Sequence, residues 1–166
     1  SPLLLMYKEF MTLFEGLLRA HGTYEIKGES ADGKKQGKAT TVREDVTPEK
    51  WQAHLDGKTG IGIIPINDDS NCKFGAIDVD QYDGLDIKAI NNKLKEYKLP
   101  LFPCMSKSGG VHLYLFTTDW VPAEAMQNKL RDIAAALGFG GSEIFPKQAY
   151  ILADRGDVGQ WINMPY

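Results

Sequence analysis

A chain of 166 residues, 43% hydrophobic and 25% charged, is long enough for one domain with a buried core. Its net charge of -3 excludes a protein that coats nucleic acid by bulk charge, while leaving room for a local basic groove or an acidic site offset by bound metal. No stretch has the length of a membrane span, and Leu3-Leu4-Leu5-Met6 is too short for a signal-peptide core. Two cysteines, Cys72 and Cys104, make neither a disulfide framework nor a metal pattern, which predicts a reducing, cytoplasmic setting.

In chain order, residues 3–20 carry Leu4, Tyr7, Met11, Phe14 and Leu18 at helical spacing, which predicts an amphipathic helix ending near His21-Gly22. Thr23 to Lys27 reads as a strand. From Gly28 to Lys38 the Gly, Lys, Gln, Ser and Asp content predicts a loop holding Lys34, Lys35 and Lys38, with Arg43 following. That loop is either a solvated turn or an arm for phosphates. Thr47-Pro48-Glu49-Lys50 supplies a cap, a first-turn proline and an early acid, so a helix runs to about Asp56 with Trp51 and Leu55 on its buried side. Ile61 to Ile66 reads as a buried strand, with Pro65 marking its end or an edge.

The remainder alternates more regularly. A strand at 73–80 precedes a helix at 86–97 whose stripe is Ile87, Ile90, Leu94 and Tyr97. Strands follow at 101–105 and 111–117, then a helix at 122–137 and a strand at 142–145. Strand, helix, strand, strand, helix, strand is the split βαβ plan. The predicted fold is therefore α+β: an RRM-like, ferredoxin-like sheet over residues 67–166, with helices on one face and the other face free. Residues 1–66 add an N-terminal helix-and-strand extension to the same single domain.

The centre of this plan is Phe74-Gly75-Ala76-Ile77-Asp78-Val79-Asp80. Successive side chains of a strand point to opposite faces, so Ile77 and Val79 enter a core and Asp78 and Asp80 share the other face, roughly 6–7 Å apart. Taken alone, this reads as a strand end with two solvated acids feeding a turn rather than as a site. Alternation in the neighbouring strands brings His112, Tyr114 and Phe116, and Glu143 and Phe145, to the same face. The first and third strands of the plan are neighbours and the fourth flanks the first, so His112 and Glu143 are expected on either side of the aspartates. Hard oxygen ligands of this kind suit Mg²⁺, Mn²⁺ or Ca²⁺. Ser106-Lys107-Ser108-Gly109-Gly110 is a simple hairpin turn or, with free amides, a phosphate cradle.

The Gly-Ala-Ile-Asp-Val-Asp strand followed by Ser106-Lys107-Ser108-Gly109-Gly110-Val111-His112 resembles the first two signature motifs of the archaeo-eukaryotic primase superfamily. Glu143-Ile144-Phe145-Pro146-Lys147-Gln148 and Val158-Gly159-Gln160-Trp161-Ile162-Asn163-Met164-Pro165-Tyr166 resemble the third region of its small primase-polymerase branches, which occur in mobile elements, phages, TOTE conflict systems and CRISPR-associated proteins. The likeness spans roughly residues 40–166. It implies a template-directed nucleotidyltransferase that joins (d)NTPs to a 3′-hydroxyl. It also implies two divalent ions, Mg²⁺ or Mn²⁺, on Asp78, Asp80 and Glu143, the last standing where the family usually has aspartate. Ser108, Gly109 and His112 would contact the nucleotide triphosphate, and Lys107, Lys147, Asn163 and Arg43 would add phosphate or sugar contacts. The implied partners are a single-stranded DNA template, a primer and (d)NTPs, with a helicase or accessory domain elsewhere in a longer protein and no membrane. The expected state is a monomer. Two other classes fit parts of the pattern: a non-catalytic single-strand binding module using Tyr114, Phe116 and Phe145 as stacking platforms, and a metal-dependent nuclease.

Overall fold

The computed structural model describes residues 2–29, 35–80 and 86–166; residues 30–34 and 81–85, with Lys34 and the Asp83-Gly84 pair among them, lie outside the described residues. The described elements are α1 (Pro2–Leu13), β1 (His21–Glu29), β2 (Lys35–Val42), α2 (Pro48–Leu55), β3 (Gly60–Ile63), β4 (Asn71–Val79), α3 (Ile87–Glu96), β5 (Phe102–Met105), β6 (Val111–Pro122), α4 (Ala123–Leu137), β7 (Glu143–Phe145) and β8 (Ile162–Asn163). They build two antiparallel sheets, ordered β2-β1-β3-β8 and β5-β6-β4-β7. The mixed α+β class expected from the sequence is what the chain adopts. Among the described residues no helix is long and apolar enough to cross a membrane.

Local signals place the helices well. Thr47 accepts a hydrogen bond from the Lys50 amide at 3.3 Å ahead of Pro48, and Asp86 caps α3 through the Lys88 amide at 2.9 Å. α2 buries Trp51 and His54, while Leu55 is only half-buried. The α3 stripe stops at Leu94, and Tyr97 is the exposed C-cap rather than part of the buried face.

Several elements depart from the sequence expectation. α1 ends at Leu13, not near residue 20, and Leu18 is exposed. Phe14, Leu17 and Ala20 are buried in an irregular run. Gly16 meets the Ile64 backbone so closely that a Cβ would lie 2.0 Å from its carbonyl oxygen, and Leu17 N–H donates to that oxygen at 2.8 Å. Contact of backbone with backbone replaces the helical bonds. Secondly, the expected loop from Gly28 to Lys38 is mostly hairpin: β1 and β2 pair from His21↔Val42 to Glu29↔Lys35, with a bulge between Ile26 and Gly28. An exposed edge ribbon needs no apolar run, so its composition resembles a loop. Finally, β6 continues five residues past 117 to Pro122, and β8 returns from the C-terminal end to pair with β3.

The second sheet has two covered faces. Ile77, Val79, Val111, Leu113 and Leu115 pack against Ile90, Leu94, Leu130, Ile133 and Leu137 of the helices. The opposite face, expected to be free, carries Phe74, Ala76, Tyr114 and Phe145, which pack against Phe14, Trp51, Ile61, Ile63, Ile162 and Met164. Phe14 is central here, with ring centroids 5.1 Å from Tyr114, 5.2 Å from Phe116 and 5.4 Å from Phe74. Burying each large apolar side chain contributes about 1.5–3 kcal/mol, so an aromatic sheet face recruits the N-terminal half as its cover. Tyr114 and Phe145 are consequently unavailable as stacking platforms, and Phe116 is packed against Phe14 and partly buried.

Candidate functional site

The acidic end of β4 escapes that cover. Ile77 and Val79 anchor one face of the strand in the helix-side core, which forces Asp78 onto the other. Asp78 stands directly opposite His112 on β6 and Glu143 on β7. Direct cross-strand partners have Cβ atoms about 4.5–5.5 Å apart, so one imidazole and one further carboxylate flank Asp78, as the alternation in the sequence anticipates.

His112 is held from both ends. Its Nε2 lies 3.4 Å from Asp78 Oδ1, the two side chains being 11% and 18% exposed. Its Nδ1 lies 3.2 Å from the Tyr114 hydroxyl. That hydroxyl donates to the Asn163 carbonyl at 3.3 Å, leaving its oxygen to accept from an Nδ1–H of His112. Burial pushes the Tyr114 hydroxyl pKa far up, so it stays neutral. The result is a relay of contacts from β8 through Tyr114 and His112 to Asp78.

Asp80, one step beyond the strand, is exposed. Its carboxyl pKa is nevertheless raised, first by lost hydration and then by repulsion from Asp78 and Glu143, with His112 opposing. Glu143 is the acid least committed to the cluster: its Oε1 pairs with Lys147 Nζ at 3.0 Å, and Lys147 also lies over the Phe145 ring at 5.4 Å. Among the described residues no three His, Cys, Asp or Glu groups are gathered as a ready-made metal site. The donor set of Asp78 and Asp80, two mutually repelling hard oxygen ligands, fits a hard divalent cation in its chemistry. Glu143 joins it only by leaving Lys147.

The turn between β5 and β6 is closed by Ser106 N–H to Gly110 O at 2.9 Å and Gly109 N–H to Ser106 O at 3.1 Å. The Gly109 amide is therefore engaged within the turn, and its φ of 91° needs glycine. Gly110 backs onto β4: a Cβ there would lie 2.5 Å from Val79 O and 3.5 Å from Asp80 Oδ1. This close approach seats the turn beside the aspartates. Ser106 and Ser108 hydroxyls lie 3.3 Å apart, and Ser108 is exposed.

Other expected site residues lie elsewhere. Lys107 directs its ammonium over Gly60 of β3, not to within ion-pair distance of Asp78, Asp80 or Glu143. Arg43 donates through Nη1 to the Gly156 carbonyl at 2.9 Å. Asn163 enters through its backbone carbonyl, while its buried side-chain Oδ1 meets no hydrogen-bond partner among the described residues. Sequence reasoning missed His54, whose Nδ1 accepts from Ile61 N–H at 3.1 Å while Nε2 meets the Pro165 carbonyl at 2.7 Å. Its place three residues after Trp51, on the same helix face, is the signal that could have found it.

Residues 21–166 match the family described as TOTE conflict system, Archaeo-Eukaryotic Primase domain. No curated protein matches the chain. With the match covering nearly the whole chain, and with the aspartate strand and its flanking histidine inside it, the chain belongs to the archaeo-eukaryotic primase domain family of TOTE conflict systems.

Proposed function

We propose that this chain is the catalytic part of a primase-polymerase, adding (d)NTPs to a 3′-hydroxyl opposite a single-stranded DNA template. The observation that carries the reading is the placement of Asp78 between His112 and Glu143, with the exposed Asp80 beside it, at the end of the aromatic sheet face. We read the β5-β6-β4-β7 sheet with α3 and α4 packed on one face as the RRM-like, split βαβ arrangement.

Asp78 and Asp80 would hold Mg²⁺ or Mn²⁺, with Glu143 as third ligand once released from Lys147. When bound, two such ions supply activation of the 3′-hydroxyl and stabilisation of the leaving pyrophosphate. The chain's own residues position the substrates. His112 would turn its Nε2 from Asp78 to the triphosphate once a cation takes that carboxylate, with the Ser108 hydroxyl on the turn that precedes its strand as a second contact. Lys147, freed from Glu143, becomes available to a phosphate. Template, primer and nucleotide are the partners, the chain acts as a monomer in the cytoplasm, and a helicase or accessory domain completes a longer protein.

Primer extension tests this. Labelled primer, template, dNTPs and Mn²⁺ or Mg²⁺ should give extended product, and Asp78→Ala or Asp80→Ala should reduce the rate by about a thousandfold or more, as expected for several kcal/mol of lost stabilisation. Absence of extension, or extension unchanged in both variants, would overturn the reading. Template cleavage without nucleotide addition would instead assign a nuclease. Single-strand binding as the sole function is disfavoured by the burial of Tyr114 and Phe145 and by the acids on the exposed end.

A further inference from the structure

The strand that brings the third acid to the cluster also brings a cation with it. Glu143 stands opposite Asp78 on β7, and four residues later Lys147 returns its ammonium to the Glu143 carboxylate at 3.0 Å. We propose that Lys147 is a built-in competitor for the divalent ion, a latch that holds Glu143 until a cation on Asp78 and Asp80 displaces the ammonium. The latch rests on the reading of those two aspartates as cation ligands. It goes beyond that reading by giving Lys147 control of their affinity.

Geometry is the first argument. The backbone that carries the pair is fixed. Glu143 is held by the pairing of β7 with β4, through Ala76↔Phe145, Ile77↔Ile144 and Asp78↔Glu143. Between the two charges, the Pro146 carbonyl accepts from Nε2 of the buried Gln127 at 2.9 Å. Lys147 is seated further by Phe145, a core ring whose centroid lies 5.4 Å from Nζ. The Lys147 and Glu143 side chains are 30% and 52% exposed, so rotation of two side chains opens the latch without moving the sheet.

Charge is the second. Asp78, Asp80 and Glu143 put three carboxylates at one end of the sheet, and Asp80 feels the repulsion of the other two. Among the described residues, Lys147 is the one lysine or arginine in ion-pair contact with any of the three. Without a divalent ion, the ammonium offsets one of those charges. With a divalent ion, ammonium and ion compete for the same carboxylate. A half-exposed ion pair is weak enough for a doubly charged ion to break.

Two opposite effects in one variant are the signature of such a latch. Lys147→Gln should melt about 1–2 °C below the wild type in EDTA, because the acids lose their counter-charge. The same variant should bind Mn²⁺ about threefold more tightly, read from the electron paramagnetic resonance of free Mn²⁺ in a titration without nucleotide or DNA. Lys147→Arg should stay close to the wild type in both measurements. Lys88→Gln removes the same charge from α3, on the other face of the sheet, and should change neither. In a Glu143→Gln background, Lys147→Gln should leave Mn²⁺ affinity unchanged, since the contact it breaks is already gone. A threefold gain that persists in that background would assign the effect to net charge and overturn the latch. Unchanged or weaker Mn²⁺ binding by Lys147→Gln would overturn it too. Asp78→Asn separates the two readings. Mn²⁺ binding that this variant loses, with Lys147→Gln at wild-type affinity, refutes the latch alone. A wild type that binds no Mn²⁺, or that binds it no better than Asp78→Asn, refutes the cation site and the latch with it.

Discussion

Asp80→Asn should stabilise the metal-free protein while removing its response to metal. Asp78 and Asp80 lie two residues apart at the end of β4, and their carboxyl groups come close enough to share a hydrogen bond. Asp80 is exposed, so the dielectric near it is close to that of water, and two unit charges about 4 Å apart repel by about 1 kcal/mol. Glu143 adds less, being half-exposed and already paired with Lys147. The total gain on neutralising Asp80 is therefore about 1 kcal/mol in dilute buffer, which raises the melting temperature by about 3 °C for a chain of this size. Added salt should shrink the gain, since the Debye length falls to about 3 Å at 1 M. Mn²⁺ reverses the order: at ten times its Kd, a ligand specific to the folded state adds about 1.4 kcal/mol to the wild type, which the variant should lack. Differential scanning fluorimetry in EDTA, in EDTA with high salt, and in Mn²⁺ reads all three arms. The two melting curves should cross between EDTA and Mn²⁺. A variant that melts below the wild type in EDTA, or one that Mn²⁺ stabilises equally, would refute the repulsion and the shared cation site.

The buried histidines carry a pH dependence. Burial lowers the pKa of both His21 and His54 below 6.5, so the unfolded chain binds protons that the folded one refuses. Their contribution to stability is fully present above pH 6.5 and is lost as pH falls below it, with a slope of up to about 1.4 kcal/mol per pH unit per ring; urea denaturation of wild type and His54→Gln between pH 7 and 5 should show a shallower slope in the variant. Tyr114→Phe removes the hydroxyl shared by His112 and the Asn163 carbonyl, costing about 1–2 kcal/mol in urea denaturation and lowering primer extension through His112; unchanged stability would show that the hydroxyl bridges nothing. Gly22→Ala would place a Cβ 2.0 Å from the Trp161 ring, whose Nε1 donates to Thr41 Oγ1 at 3.0 Å. Displacing that indole should cost about 1–3 kcal/mol and red-shift the tryptophan emission, both absent if the ring has room to yield.

The aspartate strand was readable because its signal is local. Alternation with period two assigns Ile77 and Val79 to one face and Asp78 and Asp80 to the other whatever surrounds them. The same alternation in β6 and β7, with the strand–helix–strand succession, brings His112 and Glu143 opposite Asp78. Capping chemistry placed α2, and the apolar stripe of Ile87, Ile90 and Leu94 placed α3, within a residue or two of their ends. The loop expected from Gly28 to Lys38 failed for the converse reason: β2 is an exposed edge strand, so nothing in its composition distinguishes it from a turn.

Contacts between residues distant in the chain account for the rest. α1 stops at Leu13 because Gly16 and Leu17 meet the backbone of Ile64, and no helical periodicity carries word of that meeting. The aromatic face of β4 and β6 is closed because Phe14, Trp51 and Ile61 arrive to cover it, while Asp80 and Glu143 at the acidic end stay exposed. Lys107, which follows Ser106 toward the histidine strand, turns its charge to β3 because Gly60 lacks a side chain there. Alternation along a strand can name the residues that share a face; whether that face is buried, and where a long flexible cation on an adjoining turn ends, depends on surfaces contributed from the other end of the chain.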